Sequence, residues 1–191
     1  MQDASWAIRE RIANAPLVLP AASGKPARLL VADATGGIWL YALDRGDSPL
    51  RRWIPGKTLA LPGGKVSPQF GLQTDSSGRQ LAAYTVNEKR IVCLDVDADD
   101  PRWVAALKDE AASKIVGTPS SAGEGRWLVT DLGGRVAILN ADSGVPVFTR
   151  EVGLPGAVPA TAGVPLGENR VLVPLSDGSA AIVDLTPDDK K

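Results

Sequence analysis

The sequence predicts an all-β fold made of about four copies of one four-stranded antiparallel unit. Three observations predict it. Short apolar runs occur in pairs around Gly, Asn or Asp turns, an arginine opens each pair, and these arginines (Arg28, Arg79, Arg126 and Arg170) stand 51, 47 and 44 residues apart. Paired short strands around turns that need positive φ read as hairpins, and a period of about 40–50 residues is the size of one four-stranded sheet.

The paired runs are residues 28–44 (RLLVADATGGIWLYALD), 79–95 (RQLAAYTVNEKRIVCLD), 126–140 (RWLVTDLGGRVAILN) and 170–184 (RVLVPLSDGSAAIVD). Each has a short strand, a turn and a second strand. The turns are Thr35-Gly36-Gly37, Asn87-Glu88-Lys89, Gly133-Gly134 and Asp177-Gly178, and the second strands end at Asp44, Asp95, Asn140 and Asp184. Upstream of each pair lies a proline-bearing run of small or apolar residues, at 15–18, 66–69, 116–119 and 157–160. Such residues suit a short innermost strand near a crowded axis. Downstream, Trp53, Trp103 and Phe148 begin a fourth, outer strand.

The units then run over approximately 15–56, 66–108, 116–153 and 157–186 of a single domain spanning 1–191. The last unit lacks an aromatic outer strand. Residues 3–8 resemble residues 99–104, so residues 3–10 around Trp6 are expected to close that last sheet, which would remove an exposed edge. The competing reading of residues 5–14 is a short helix capped by Ser5, with Ile8 and Ile12 four apart; residues 104–114 are the other stretch where a helical turn fits.

Composition bounds the function. Apolar residues make up 44% and charged residues 23%, Gly 20 and Pro 15 suit a turn-rich chain, and the net charge of −1 gives no electrostatic reason to expect nucleic acid or an anionic membrane. No apolar stretch is long enough to span a bilayer, so membrane insertion is not expected, and residues 1–5 lack the basic and apolar regions of a signal peptide. The compartment stays open: cytoplasmic if the chain is complete, cell envelope if it is cut from a larger protein. Cys93, the sole cysteine, lies in an apolar run and is expected to pack as a small hydrophobe.

In the third unit, Val136-Ala137-Ile138-Leu139-Asn140-Ala141-Asp142-Ser143-Gly144 followed by Phe148 resembles the repeat of PQQ-like β-propellers, in which a strand ending in Ala-Leu-Asp precedes a Thr-Gly turn and a Trp. Leu43-Asp44 with Trp53, and Leu94-Asp95 with Trp103, are looser versions. The Trp-Asp and Gly-His dipeptides of WD40 repeats are absent, though the blade architecture is similar. The resemblance implies a β-propeller. Members usually have seven or eight blades, which leaves three arrangements for four units: a four-bladed ring, an incomplete fragment, or half of an eight-bladed ring formed by a dimer. Quinone-cofactor members of the superfamily typically place a vicinal disulfide and calcium beside the cofactor, and one cysteine cannot form that disulfide.

Few residues suggest chemistry. The chain has no histidine, which excludes Ser-His-Asp and Cys-His catalysis and His-ligated metals. Asp95, Asp97 and Asp99 (with Asp100) alternate as calcium ligands can, but an EF-hand loop counted from Asp95 would need Gly at 100 and Glu at 106, where Asp and Ala stand. A solvated turn accounts for them. Gly56-Lys57-Thr58 lacks both the first glycine and the helix of a phosphate loop, and Gly123-Glu124-Gly125 precedes a strand rather than a helix, so both read as turns. Arg28, Arg79, Arg126 and Arg170 are read either as a cationic ring for an anionic peptide or as solvent-facing starts of the second strands. Trp6, Trp39, Trp53, Trp103 and Trp127 are expected to pack between units, at least three of them at one place in the repeat.

The expectation is a non-enzymatic binding or scaffold module for a protein or peptide ligand, needing no cofactor, with a homodimer left open. The alternatives are a metal- or quinone-dependent oxidoreductase with a site in a central channel, and a self-assembling half-propeller. The inner stretches 15–21, 66–73, 116–122 and 157–165 contain no carboxylate, which argues against the channel enzyme.

Overall fold

Each tight turn anticipated above takes positive φ, three of the four at a glycine, and four separate sheets result. The computed structural model describes residues 11–21, 24–44, 48–55, 63–75, 77–106, 114–123, 125–152, 156–167 and 169–186. The first sheet holds β1 (Leu17–Leu19), β2 (Arg28–Ala32), β3 (Ile38–Ala42) and β4 (Arg51–Trp53), and the second β5 (Gly71–Thr74), β6 (Gln80–Val86), β7 (Arg90–Asp95) and β8 (Pro101–Ala106). The third holds β9 (Ile115–Ser121), β10 (Arg126–Asp131), β11 (Arg135–Asn140) and β12 (Pro146–Glu151), and the fourth β13 (Val164–Pro165), β14 (Arg170–Pro174) and β15 (Ala180–Asp184). Strands are antiparallel and ordered as in the sequence within each sheet. There is no helix among the described residues.

The hairpins β2–β3, β6–β7, β10–β11 and β14–β15 are the four paired runs. Gly36, Gly134 and Gly178 supply positive φ at three of the turns; at the remaining one Asn87 and Glu88 take φ of 53° and 58°, a strain that glycine would avoid. Residues 104–106, assigned above to a stretch with room for a helical turn, finish β8 instead. Residues 3–10, with Trp6 and the proposed closing strand, lie outside the described residues, and the fourth sheet has three strands among those described.

The innermost strand differs from expectation. It begins with a single bridge (Ile12 to Asp33, Val66 to Val86, Pro159 to Leu175), leaves the ladder for several residues, and rejoins at β1, β5 or β13; in β9 the same break is a register shift between Leu128 and Thr130. Runs 66–69 and 157–160, expected to be strand, therefore contribute only the bridge. Proline is the reason: Pro16, Pro68 and Pro119 cannot donate to a ladder, so the chain leaves it where they sit. The excursions of successive sheets meet. Ala15 N donates to Pro68 O at 2.9 Å, Thr118 Oγ1 to Gln69 O at 3.2 Å, and Gly163 N to Thr130 Oγ1 at 3.0 Å. Crowding at the axis is real: a Cβ on Gly71 would lie 2.1 Å from Pro119 O.

Three apolar clusters join the sheets in order. Leu30, Leu40 and Trp53 of the first meet Ala82, Tyr84, Val92 and Leu94 of the second. Leu81, Ala83, Ile91 and Cys93 meet Trp127, Val129, Ala137 and Leu139 of the third. Leu128, Val136 and Ile138 meet Val171, Val173 and Val183 of the fourth. Neighbouring residues of β10 thus serve two clusters, because side chains alternate along a strand: Trp127 and Val129 face back, Leu128 forward. No described cluster joins the fourth sheet to the first.

Candidate functional site

The hairpin turns mark one face of the stack; the starts of β2, β10 and β14 mark the opposite face. On the opposite face the candidate arginines and aspartates come together as ties between sheets. Arg28 is buried, 4% exposed, and donates to Asp97 of the second sheet at 2.6 Å and to Gln80 Oε1 at 2.7 Å. Lys25 adds a contact to Asp97 at 2.8 Å. Burial opposes ionisation of Asp97, yet hydrogen bonds and charge from Lys25 and Arg28 hold its carboxyl below the usual range. Arg51 pairs with Asp99. One joint further, Arg102 lies 2.5 Å and Arg79 3.6 Å from Asp142. At the third joint Arg150 donates to Asp184 O at 3.0 Å.

The four arginines are therefore not one ring. Arg28, Arg126 and Arg170 lie opposite Ala42, Asn140 and Asp184, but in the second sheet Leu81 holds that place, opposite Asp95, and Arg79 stands two residues earlier. Arg28 is not solvent-facing, whereas Arg126 and Arg170 are exposed. Asp95 caps a turn by accepting Asp97 N–H at 3.0 Å. Among the described residues no group of three His, Cys, Asp or Glu converges as metal ligands would.

The tryptophans also divide. Trp103 and Phe148 share a register, opposite Cys93 and Ile138; Trp53 lies opposite Ile38, further along its strand. Trp103 Nε1 donates to Ala141 O of the next sheet at 2.7 Å. Trp53 and Trp127 are fully buried, while half-buried Trp39 donates to Asp33 Oδ2 at 2.7 Å beneath the Arg52 guanidinium, 5.8 Å away.

On the hairpin face the second and third sheets leave a groove of about 410 Å³. Residues 65–68 form one wall, residues 114–117 the other, and Glu88 and Leu132 rise from the two turns. The walls are fixed by backbone bonds: Asn87 N to Lys65 O at 2.7 Å, Ile115 N to Glu88 O at 2.6 Å, and Leu132 N to Lys114 O at 2.8 Å. Ser67 and Thr85 are buried and bonded to each other's strands, with Thr85 N donating to Ser67 Oγ at 3.2 Å. Lys114 bonds Glu88 at 2.9 Å, and with Lys65 nearby this holds the Glu88 carboxyl below its ordinary range. Lys65, Lys114 and Leu132 are exposed at the rim. This groove was not foreseen from the sequence.

A scan against protein-family models finds no match, and neither does a search of curated sequences. Among solved structures the chain is similar to BamB from Moraxella catarrhalis, with a TM-score of 0.63 at 19% identity over 88% of this chain and 45% of that one. It is similar also to the C-terminal WD40 domain of Sif2, with a TM-score of 0.61 at 16% identity over 83% and 40%. The chain is a β-propeller repeat protein. Each sheet is a blade, the inner strands line the axis, and the chain spans less than half the length of either propeller.

Proposed function

We propose that this propeller is a non-enzymatic scaffold that binds a protein segment in the groove between its second and third blades. The groove itself carries the reading: a cleft with apolar walls from Val66, Ile115 and Val116, an exposed Leu132, and two lysines at its rim. Loops held by a stiff β scaffold present such surfaces, and a few placed charges give them specificity. An extended segment with an apolar side chain beside a carboxylate fits it. Among the described residues, no nucleophile or base stands poised at the groove, which supports binding rather than chemistry. Burial pushes the Cys93 thiol up to about 12, Glu88 is ion-paired, and the chain has no histidine.

Panning a random peptide library against the full chain tests this. Selected peptides should carry an acidic residue near an apolar one, lose binding with Leu132→Asp, weaken with Lys65→Glu, and be indifferent to Arg170→Glu on the other face. Peptides that ignore both groove substitutions overturn the proposal.

A further inference from the structure

We propose, resting on the groove reading above, that Glu88 is the groove's own competitor: its carboxylate occupies Lys114, the cation a bound segment needs for its acidic side chain, so the segment must displace it. Glu88, Lys65 and Lys114 all line the groove. Lys114 Nζ lies 2.9 Å from Glu88 Oε2, and the two side chains are 60% and 43% exposed, so a ligand can reach the pair. The hydrogen bond and charge of Lys114, with the charge of Lys65, hold the Glu88 carboxyl below its ordinary range. It is therefore ionised at neutral pH, where a ligand's carboxylate is ionised too.

Backbone geometry places Glu88 in this role. It is the second residue of the turn between Val86 and Lys89, closed by Lys89 N donating to Val86 O at 3.1 Å, and its φ is 58°. Glycine is the ordinary occupant of that position, and the other three hairpins put glycine at their positive φ (Gly36, Gly134 and Gly178). A glutamate there carries strain that the turn does not require, and strain of this kind points to a use for the side chain. The main chain on both sides of the pair is bonded across the groove or within its wall. Ile115 N donates to Glu88 O at 2.6 Å, and Lys114 O accepts from Leu132 N at 2.8 Å. The carboxylate and the ammonium thus meet from backbone that is already placed, which lowers the cost of ordering them.

The joint between the second and third blades does not depend on this ion pair. The bond from Ile115 N to Glu88 O already crosses it on the hairpin face, and the cluster that includes Ile91, Ile115 and Trp127 packs the two blades together. An exposed ion pair adds little to stability. Its effect on a ligand is larger, because one ammonium cannot serve two carboxylates at full strength and like charges repel. A carboxylate entering the groove meets a Lys114 already engaged and Glu88 beside it.

Parallel panning of a random peptide library against the wild-type full chain and against Glu88→Gln, with fluorescence anisotropy of every recovered peptide on both proteins, tests this. Glutamine keeps the length of the side chain and the strained backbone and removes the charge. Acidic peptides whose binding is lost on Leu132→Asp should bind Glu88→Gln about three- to tenfold more tightly than wild type. Glu88→Gly, which also relieves the positive φ, should show the same gain. Asp177→Asn removes one carboxylate from the turn of the fourth blade and should leave affinity within about twofold. On a Lys114→Gln background the gain from Glu88→Gln should shrink, because the cation under competition is gone. Equal affinity for wild type and Glu88→Gln, a gain seen with glycine alone, a gain matched by Asp177→Asn, or a gain undiminished by Lys114→Gln overturns the competitor and leaves the groove standing. Failure of both proteins to select any peptide sensitive to Leu132→Asp overturns the groove reading and the competitor with it.

Discussion

The joint between the first and second blades and the joint between the third and fourth are formed by equivalent strands and held by different chemistry. The first buries Trp53 and Tyr84, sets Phe70 edge-on to Tyr84 with centroids 5.5 Å apart, and is clamped by Arg28, Lys25 and Arg51 on Asp97 and Asp99. The last is almost wholly aliphatic, with Phe148 only partly buried. Thr186 stands where Asp97 and Asp142 stand in the second and third blades, and Arg126 is left exposed. One repeated architecture thus produces a tight joint and a loose one, and the difference lies in a few side chains rather than in the backbone. Stability should fall along the chain from the second blade to the fourth.

Large truncations test the contrast hardest. Trp53→Ala should cost about 3–5 kcal/mol and Val183→Ala about 1–3 kcal/mol in denaturant unfolding, since the first removes a fully buried ring and the second two methyl groups. A larger loss at Val183 would reverse the ranking of the joints. Next come the ties. Arg28→Met should cost about 2–4 kcal/mol, because Asp97 loses its buried partner, whereas Arg126→Met should stay within about 0.5 kcal/mol. Equal losses would show that the Arg28 tie contributes no more than a surface charge.

Crowding at the axis predicts a further effect that does not depend on charge. Gly71→Ala should destabilise by about 1–3 kcal/mol, as its Cβ meets Pro119 O and the inner excursions of two blades must part. A neutral result in thermal melts would mean the inner strands have slack.

The smallest expected effect is pH-dependent. Burial works to raise the Asp75 carboxyl, but hydrogen bonds from Ser77 and Arg79 overcome it and hold it at about 2, against 3.8 unperturbed. A depressed carboxyl stabilises the fold above its unfolded pKa and loses that contribution as pH falls through the folded one. Asp75→Asn should therefore cost about 1–2 kcal/mol at neutral pH, with the gap to wild type closing as pH falls from about 4 to about 2. A pH-independent gap would place the effect in packing.

Hairpins were legible in the sequence because a tight turn needs particular residues: Gly36, Asn87, Gly134 and Gly178 mark all four. Burial of Cys93 was legible for a similar reason, since its neighbours in the strand are apolar. The arginine ties were not, although Arg28 and Asp97 were both singled out, because their link is 69 residues long and crosses a joint that no single repeat contains. A charge complementarity between successive units, arginine at one strand start and aspartate past the next unit's third strand, was the signal to seek. Inner strands were displaced because a proline run marks where the ladder breaks, not where it pairs. The groove was invisible for a plainer reason: it is assembled from ordinary residues of two units, 65–68 and 114–117, whose types carry no chemistry until the blades stand side by side.

Amide hydrogen exchange, followed by mass spectrometry on the full chain, tests the stacking account most directly. Blades shielded on both faces should exchange slowest, so β6 and β7, buried almost throughout, should outlast β14 and β15, where Ile182 is exposed and Leu172 half-buried. Protection in β14 and β15 equal to that of β6 and β7 would contradict it.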